Sequence, residues 1–158
     1  MKFTAIAMLI GATQAFPSFD SFHAHCEMTV SVADSCANTK AAVKKMVGTT
    51  SPNLDPAQGF YHPKSESDSM IWATRTGPGK KYTDDVMWEF SSNGDSCSVH
   101  SKSKSQSLSY YDYGFNFCNM YNAYRTSYWT PAVSNVSTKN CKFSVEASDI
   151  EKTCAEKK

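Results

Sequence analysis

The stretch MIWATRTGPGKKYTDDVMWEFSSNGDSCSVHSKSKSQSLS, residues 70–109, holds three strand patterns separated by two turn signals. Met70 to Thr76 reads as a strand. Gly77-Pro78-Gly79-Lys80 has turn composition. Asp85 to Phe90 reads as the next strand, with Val86, Trp88 and Phe90 on one face. Asn93-Gly94-Asp95 turns the chain again. Ser96 to Ser109 then alternates. Cys97, Val99, Ser101, Ser103, Ser105, Ser107 and Ser109 share one face, and His100, Lys102, Lys104, Gln106 and Leu108 share the other. Three strands with short connections predict an antiparallel meander.

Upstream of the meander, Glu27 to Val32 alternates Met28, Val30 and Val32 against polar residues, a half-buried strand. Asp34 or Ser35 can cap a helix starting near Cys36, whose Ala37, Ala41, Ala42, Val43, Met46 and Val47 recur at helical spacing before Gly48 stops it. Residues 49–59 hold two Pro, an Asn, an Asp and a Gly and read as loop, with Phe60-Tyr61 a short strand beyond. Downstream, Asp112 to Tyr124 predicts a helix with Gly114 as its one breaker. Tyr128 to Thr138 reads as loop, Lys142 to Ala147 as a strand with Phe143 and Val145 inward, and Asp149 to Lys157 as a terminal helical turn. The expected fold is α+β: an antiparallel sheet of five or six strands with two helices. The element order is compatible, by analogy, with a helix-grip arrangement in which a curved sheet wraps a helix and leaves a cavity.

Residues 1–15 have the form of a signal peptide. Lys2 precedes an apolar run, and Thr13-Gln14-Ala15 offers small residues for cleavage before Phe16. The run is too short to span a bilayer, which needs about 20 residues. Residues 16–24 read as a linker or docked arm, and 25–158 as one globular domain. Six cysteines follow: Cys26, Cys36, Cys97, Cys118, Cys141 and Cys154. An even count in a secreted chain predicts three disulfides, whose pairing the sequence leaves open. Without Lys2 the chain carries 15 basic and 15 acidic side chains. That balance argues against nucleic acid or an anionic membrane as the main partner. Asn135-Val136-Ser137, in an expected exposed loop, is a glycosylation acceptor. Asn116-Phe117-Cys118 is the weaker Cys variant.

The chemistry-bearing residues are few. Arg75 stands across the Gly-Pro-Gly turn from Asp84 and Asp85, where antiparallel pairing would bring a guanidinium fork against a carboxylate. That pair would clamp the hairpin mouth or form a polar site at the sheet end. Adjacent Asp84 and Asp85 would point to opposite faces, a poor glycosidase geometry. The serine stripe through Ser103 and Ser105 would pack against a close helix, line a polar cavity, or lie on an exposed edge. Tyr110, Tyr111, Tyr113, Phe115, Phe117, Tyr121, Tyr124, Tyr128 and Trp129 are too many for one buried helix face. They divide between core and a surface or cavity rim. No Gly-x-Ser-x-Gly elbow or glycine-rich phosphate loop occurs. His23-x-His25 lacks a second ligand pair at zinc spacing, so neither metal nor cofactor is expected. His62 and His100 are expected to be exposed.

Arg75, Thr83-Asp84-Asp85-Val86, Cys97-Ser98-Val99 with its Ser-x-Ser run, and Asp112-Tyr113-Gly114-Phe115-Asn116 follow one another in order. In this the chain resembles the domain-of-unknown-function family fourteen-ninety-nine of small bacterial and plastid domains. The resemblance covers about half of the chain beyond residue 15. Two departures are an interval one residue longer between the serines and Asp112, and the cysteines. The chain also resembles small secreted protist proteins that share its Ser-Gln-Ser and Asn-x-Cys-Asn elements. Neither group brings an activity. The resemblance implies that Arg75, Asp84, Asp85, Asp112 and Asn116 form one unit. The function expected is a secreted, non-enzymatic module binding a small or lipid-like ligand, or a partner surface. The rivals are a hydrolase with a polar site around Arg75, Asp85, Asp112 and a serine, and a component of an extracellular coat.

Overall fold

The computed structural model describes residues 15–48, 54–79, 81–143, 145 and 147–156. Almost all of the expected signal peptide lies outside them. The described residues form β1 (His25–Val32), α1 (Cys36–Val47), β2 (Phe60–Ser67), β3 (Met70–Thr76), β4 (Thr83–Asn93), β5 (Ser96–Ser105), α2 (Phe115–Tyr121), β6 (Val133–Lys139) and α3 (Ile150–Ala155). The six strands make one antiparallel sheet in the order β2-β3-β4-β5-β1-β6. The fold is α+β and disulfide-stabilised. No helix among the described residues is long and apolar enough to cross a membrane.

One sheet face carries the core. Met28, Val30 and Val32 of β1, Val99 of β5, Val86, Trp88 and Phe90 of β4, and Ile71 and Ala73 of β3 alternate onto it. Val43, Met46 and Val47 of α1 and Phe117, Met120 and Tyr121 of α2 cover it. Ser35 caps α1 by accepting the Asn38 N–H, and the Gly48 N–H closes its end on the Lys44 carbonyl. Helix α2 is shorter than expected. It begins at Phe115 because Tyr113 and Gly114 both take positive φ, and a 3₁₀ turn, Asn122–Tyr124, extends it. Two core aromatics tie off its last turn: Tyr61 Oη donates to the Asn119 carbonyl at 2.8 Å and Trp88 Nε1 to the Met120 carbonyl at 3.3 Å.

The other sheet face is covered in part by residues 16–24. Phe16 lies 5.8 Å from Trp72, Phe19 stacks on His25, and Lys104 Nζ donates to Asp20 and to the Ser18 carbonyl. The segment is a docked arm. His100 is half-buried on this face between Glu27 and Glu89, rather than free in solvent. His62 is exposed on β2, as expected.

Two expectations fail near the C-terminus. Residues 133–138, expected as loop, form with Lys139 the edge strand β6 along β1. Its side chains are almost all exposed, so it shows no inward–outward alternation to read. The described part of 142–147 is not a strand, and Phe143 is exposed against Gly114 instead of pointing inward. The strand β5 ends at Ser105, four residues before the alternation does. Strand β2 runs on to Ser67, and as an edge strand it tolerates Pro63 and a register shift beyond it.

The disulfides are Cys26–Cys141, Cys36–Cys97 and Cys118–Cys154. They join β1 to the segment after β6, the start of α1 to β5, and α2 to α3. Replacing Cys118 and Cys154 together with Ala opens a loop of sequence separation 36. Chain-entropy reasoning puts the loss at about 4 kcal/mol, read as a drop in the urea midpoint with the sheet's circular dichroism retained below it.

Candidate functional site

Helix α2 presents a row of asparagines to the sheet. Asn116, Asn119 and Asn122, spaced by three, are all buried. Each amide Nδ2 donates to a different carboxylate: Asn116 to Asp112 Oδ2 at 2.7 Å, Asn119 to Asp84 Oδ2 at 2.7 Å, and Asn122 to Asp55 Oδ1 at 3.0 Å. The serine stripe faces this row. Ser103 Oγ donates to Asn116 Oδ1 at 2.6 Å and accepts from Asn119 Nδ2, while Ser105 Oγ accepts from Asn116 Nδ2. Ser101 meets the Tyr124 hydroxyl at 3.4 Å. Strand β5 is central in the sheet and its serines are covered by α2, so the close-helix reading holds and the exposed-edge reading does not. Larger residues there would hold the helix off the sheet.

Arg75 does not pair with Asp84 or Asp85. Register sets it opposite Asp84, but its Nε donates to Asp55 Oδ2 at 2.9 Å and its Nη2 stands 2.8 Å from the same oxygen in an ion pair. Asp55 lies in the loop before β2 and accepts two backbone donors as well, the N–H groups of Ala57 and Gly59. Both partners are almost fully buried. Burial opposes the Arg75 charge, but the neighbouring Tyr61 and Asp55 outweigh it and raise its pKa. A Cβ on Gly59 would lie 2.5 Å from Arg75 Cζ, so this glycine makes room for the guanidinium.

Asp84 and Asp85 point to opposite faces, as their adjacency on a strand requires. Asp85 lies on the arm-covered face, where it accepts from Trp72 Nε1, Lys64 Nζ and Gln106 Nε2. It is removed from the site expected for it. Asp84 faces α2. Burial pushes its carboxyl above 3.8, against hydrogen bonds from Ser105 and Asn119 and the Arg75 charge, while the Asp112 charge adds to the rise. Asp112 steadies the start of α2 by accepting the N–H groups of Gly114 and Asn116.

Beside this network the sheet end opens into a cleft of about 450 Å³ between residues 75–84 and residues 105–115. Arg75, Asp84, Ser105 and Asp112 line it together with the rim residues Tyr82, Leu108, Tyr111 and Tyr113, which stand more than half exposed. Ser103 and Asn116 are fully buried and are not among its lining residues. Of the seven expected site residues, four reach the cleft, two support it from the interior and Asp85 lies elsewhere. The aromatic cluster divides as expected: Phe117, Tyr121 and Tyr124 enter the core, and Tyr110, Tyr111 and Tyr113 stay outside. The sequence reading missed Asp55, Gly59, Asn119 and Asn122. The three-residue spacing of the asparagines was a usable signal, because a polar row on a helix face bound for the core needs partners. Asn135 is exposed on β6 with positive φ, whereas Asn116 has no exposure and is shut off from a transferase in the folded chain.

Arg75→Met leaves Asp55 a buried carboxylate without its cation, and its expected cost is about 3–5 kcal/mol. Arg75→Met combined with Asp55→Asn recovers part of that loss in urea unfolding. Asp84 predicts a pH effect. Its pKa is raised in the folded state, so the folded chain holds the proton more firmly than the unfolded one. The stability it contributes is full below 3.8 and falls as pH rises through the raised value. Asp84→Asn removes that slope, so urea midpoints of the two proteins diverge as pH rises above 3.8, in favour of the variant.

Comparison with known proteins adds no relative: no protein-family model, no curated protein and no solved structure matches this chain.

Proposed function

We propose that the protein is a secreted, disulfide-stabilised, non-enzymatic module that binds a small amphipathic ligand in the cleft at the sheet end. The observation that carries this reading is the cleft's construction. A hydrogen-bonded polar floor sits beneath a rim of exposed tyrosines and a leucine, within a volume typical of small-molecule sites. A ligand with an apolar body lies against Leu108, Tyr111 and Tyr113 and sets its polar end on Asp84 and Ser105. A lipid-like molecule meets the same description. The signal-like N-terminus and the three disulfides suit an oxidising compartment, and the exposed Asn135 suits a glycan.

The hydrolase reading calls for a serine with a histidine in reach. Ser105, Ser107 and Ser109 line the cleft, and no histidine is among the described residues that line it. His23 is held by Asp20, His25 by the His23 carbonyl, and His100 by two glutamates. A partner surface is the stronger second reading. Phe22, Leu108, Tyr110, Tyr111 and Tyr113 are all highly exposed, and a backbone bridge between His23 and Ser109 sets Phe22 beside the loop that carries the others.

Native mass spectrometry of the protein from a secreting host, before and after organic extraction, tests the ligand reading. The expected result is mass above the oxidised chain that extraction removes, and that Tyr111→Ala with Tyr113→Ala diminishes. A chain that is clean before extraction, and gains no adduct when reloaded with the host's extract, overturns it.

A further inference from the structure

Resting on that reading, we propose that the cleft selects a small organic cation, an ammonium group on an apolar body. The floor holds Asp84 and Asp112 against Arg75 alone, and Arg75 is already paired with Asp55, which lies outside the lining; the other lining cation among the described residues, Lys81, stands on the exposed rim. Arg75, the one cation of the floor among the described residues, is held by Asp55 through a hydrogen bond from Nε and an ion-pair contact from Nη2 to a single oxygen. Two more carboxylates, Asp84 and Asp112, line the same cleft. Their hydrogen-bond partners are neutral: the amide of Asn119 and the hydroxyl of Ser105 for Asp84, and the N–H groups of Gly114 and Asn116 with the Asn116 amide for Asp112. Among the described residues neither is in an ion pair. A buried carboxylate with no cation of its own favours a ligand that brings one. An anion entering the floor would meet like charge, and a neutral ligand would gain a hydrogen bond alone.

The rim points to the same ligand. Tyr82, Tyr111 and Tyr113 surround the mouth, and tyrosine faces attract ammonium groups through their ring quadrupoles. Rings at this end of the molecule already do so with the chain's own lysines. Lys81 Nζ stands 5.1 Å from the centre of Tyr82, and Lys142 Nζ 3.9 Å from that of Tyr110. A ligand ammonium passing the tyrosines toward Asp84 therefore meets attraction along its path. Lys81 is the opposing group, an exposed rim cation that repels a like charge and competes for Tyr82.

Three probes of nearly equal shape separate charge from apolar burial: phenethylammonium, phenethyl alcohol and phenylacetate. Each is titrated into the full disulfide-bonded protein while backbone amide shifts are followed by NMR. The expected result is movement confined to residues near 76–84 and 105–115, with the cation binding about tenfold tighter than the alcohol and phenylacetate weakest. Lys81→Gln tightens the cation and leaves the alcohol unchanged. Tyr111→Ala weakens the cation, and Asp84→Asn brings it down to the level of the alcohol. The Lys81 and Tyr111 substitutions lie on the exposed rim, so they report on binding even where Asp84→Asn disturbs the buried network. Alcohol binding as tightly as the cation, or phenylacetate binding tightest, overturns cation selection and leaves the small-ligand reading standing. Unmoved cleft amides with all three probes overturn cation selection as well, and the extraction experiment then decides the parent reading by itself.

Discussion

The Asp55 carboxylate holds three separate parts of the chain at one point. It accepts the N–H groups of Ala57 and Gly59, the Nε–H of Arg75 on β3, and the side-chain amide of Asn122 beyond α2. Loop, sheet and helix end are thereby fixed relative to one another. The net stability of such a pair is small, because desolvating two charges offsets most of their attraction. What the arrangement supplies is specificity, since any other docking of α2 strands a charge or an amide in the interior. It also decides the electrostatics of the cleft. By holding the guanidinium in its own ion pair, Asp55 leaves the neighbouring Asp84 acted on by the Arg75 charge but, among the described residues, in no ion pair itself.

Strand β5 shows how the fold grades from core into site. On its inner face Cys97 and Val99 belong to the apolar cluster, Ser101 to Ser105 form the polar layer beneath α2, and Ser107 and Ser109, beyond the strand, line the open cleft. The hydroxyls serve two purposes along this path. They are short enough for α2 to approach, and they offer donors and acceptors to its asparagines. The cleft opens where the helix begins, because Tyr113 and Gly114 turn the chain at positive φ and Asp112 holds that turn.

Much of the frame was legible in residue order. The strand patterns and turns of 70–109 placed β3, β4 and β5, and helical spacing with a serine cap placed α1; β5 alternates buried and half-buried residues along its whole length, while β3 and β4 are buried on both faces over their middles. Strand β6 has hardly any dry side. It is an edge strand with exposed residues on both faces, so periodicity held no sign of it. The strand expected at 142–147 is absent from the described residues of that segment: it was read from Phe143 and Val145, of which Phe143 is exposed and Val145 packs against the core. In the site, alternation correctly separated Asp84 from Asp85, and the hairpin register set Arg75 opposite Asp84. The true partner was illegible because a long flexible side chain can pass its cross-strand neighbour. Asp55 also sits in a loop whose path no periodicity describes.

A polar layer inside so small a chain has a consequence for its stability. Serines, asparagines and carboxylates fill space that aliphatic side chains would otherwise use, so the core forgoes apolar burial where the site is built. The disulfides fall where they offset this. Cys118–Cys154 fastens the helix that carries the asparagine row, and Cys36–Cys97 fastens α1 to the strand that carries the serines. Both act on the unfolded chain, so they add stability without demanding apolar volume beside the cleft. The floor is hydrogen-bonded and buried for the most part, while the tyrosine rim is exposed. A preorganised charged floor loses little entropy on binding, and an adaptable aromatic rim can close over bodies of different shape. The proposed selectivity for the head of a ligand, with tolerance for its body, rests on that division.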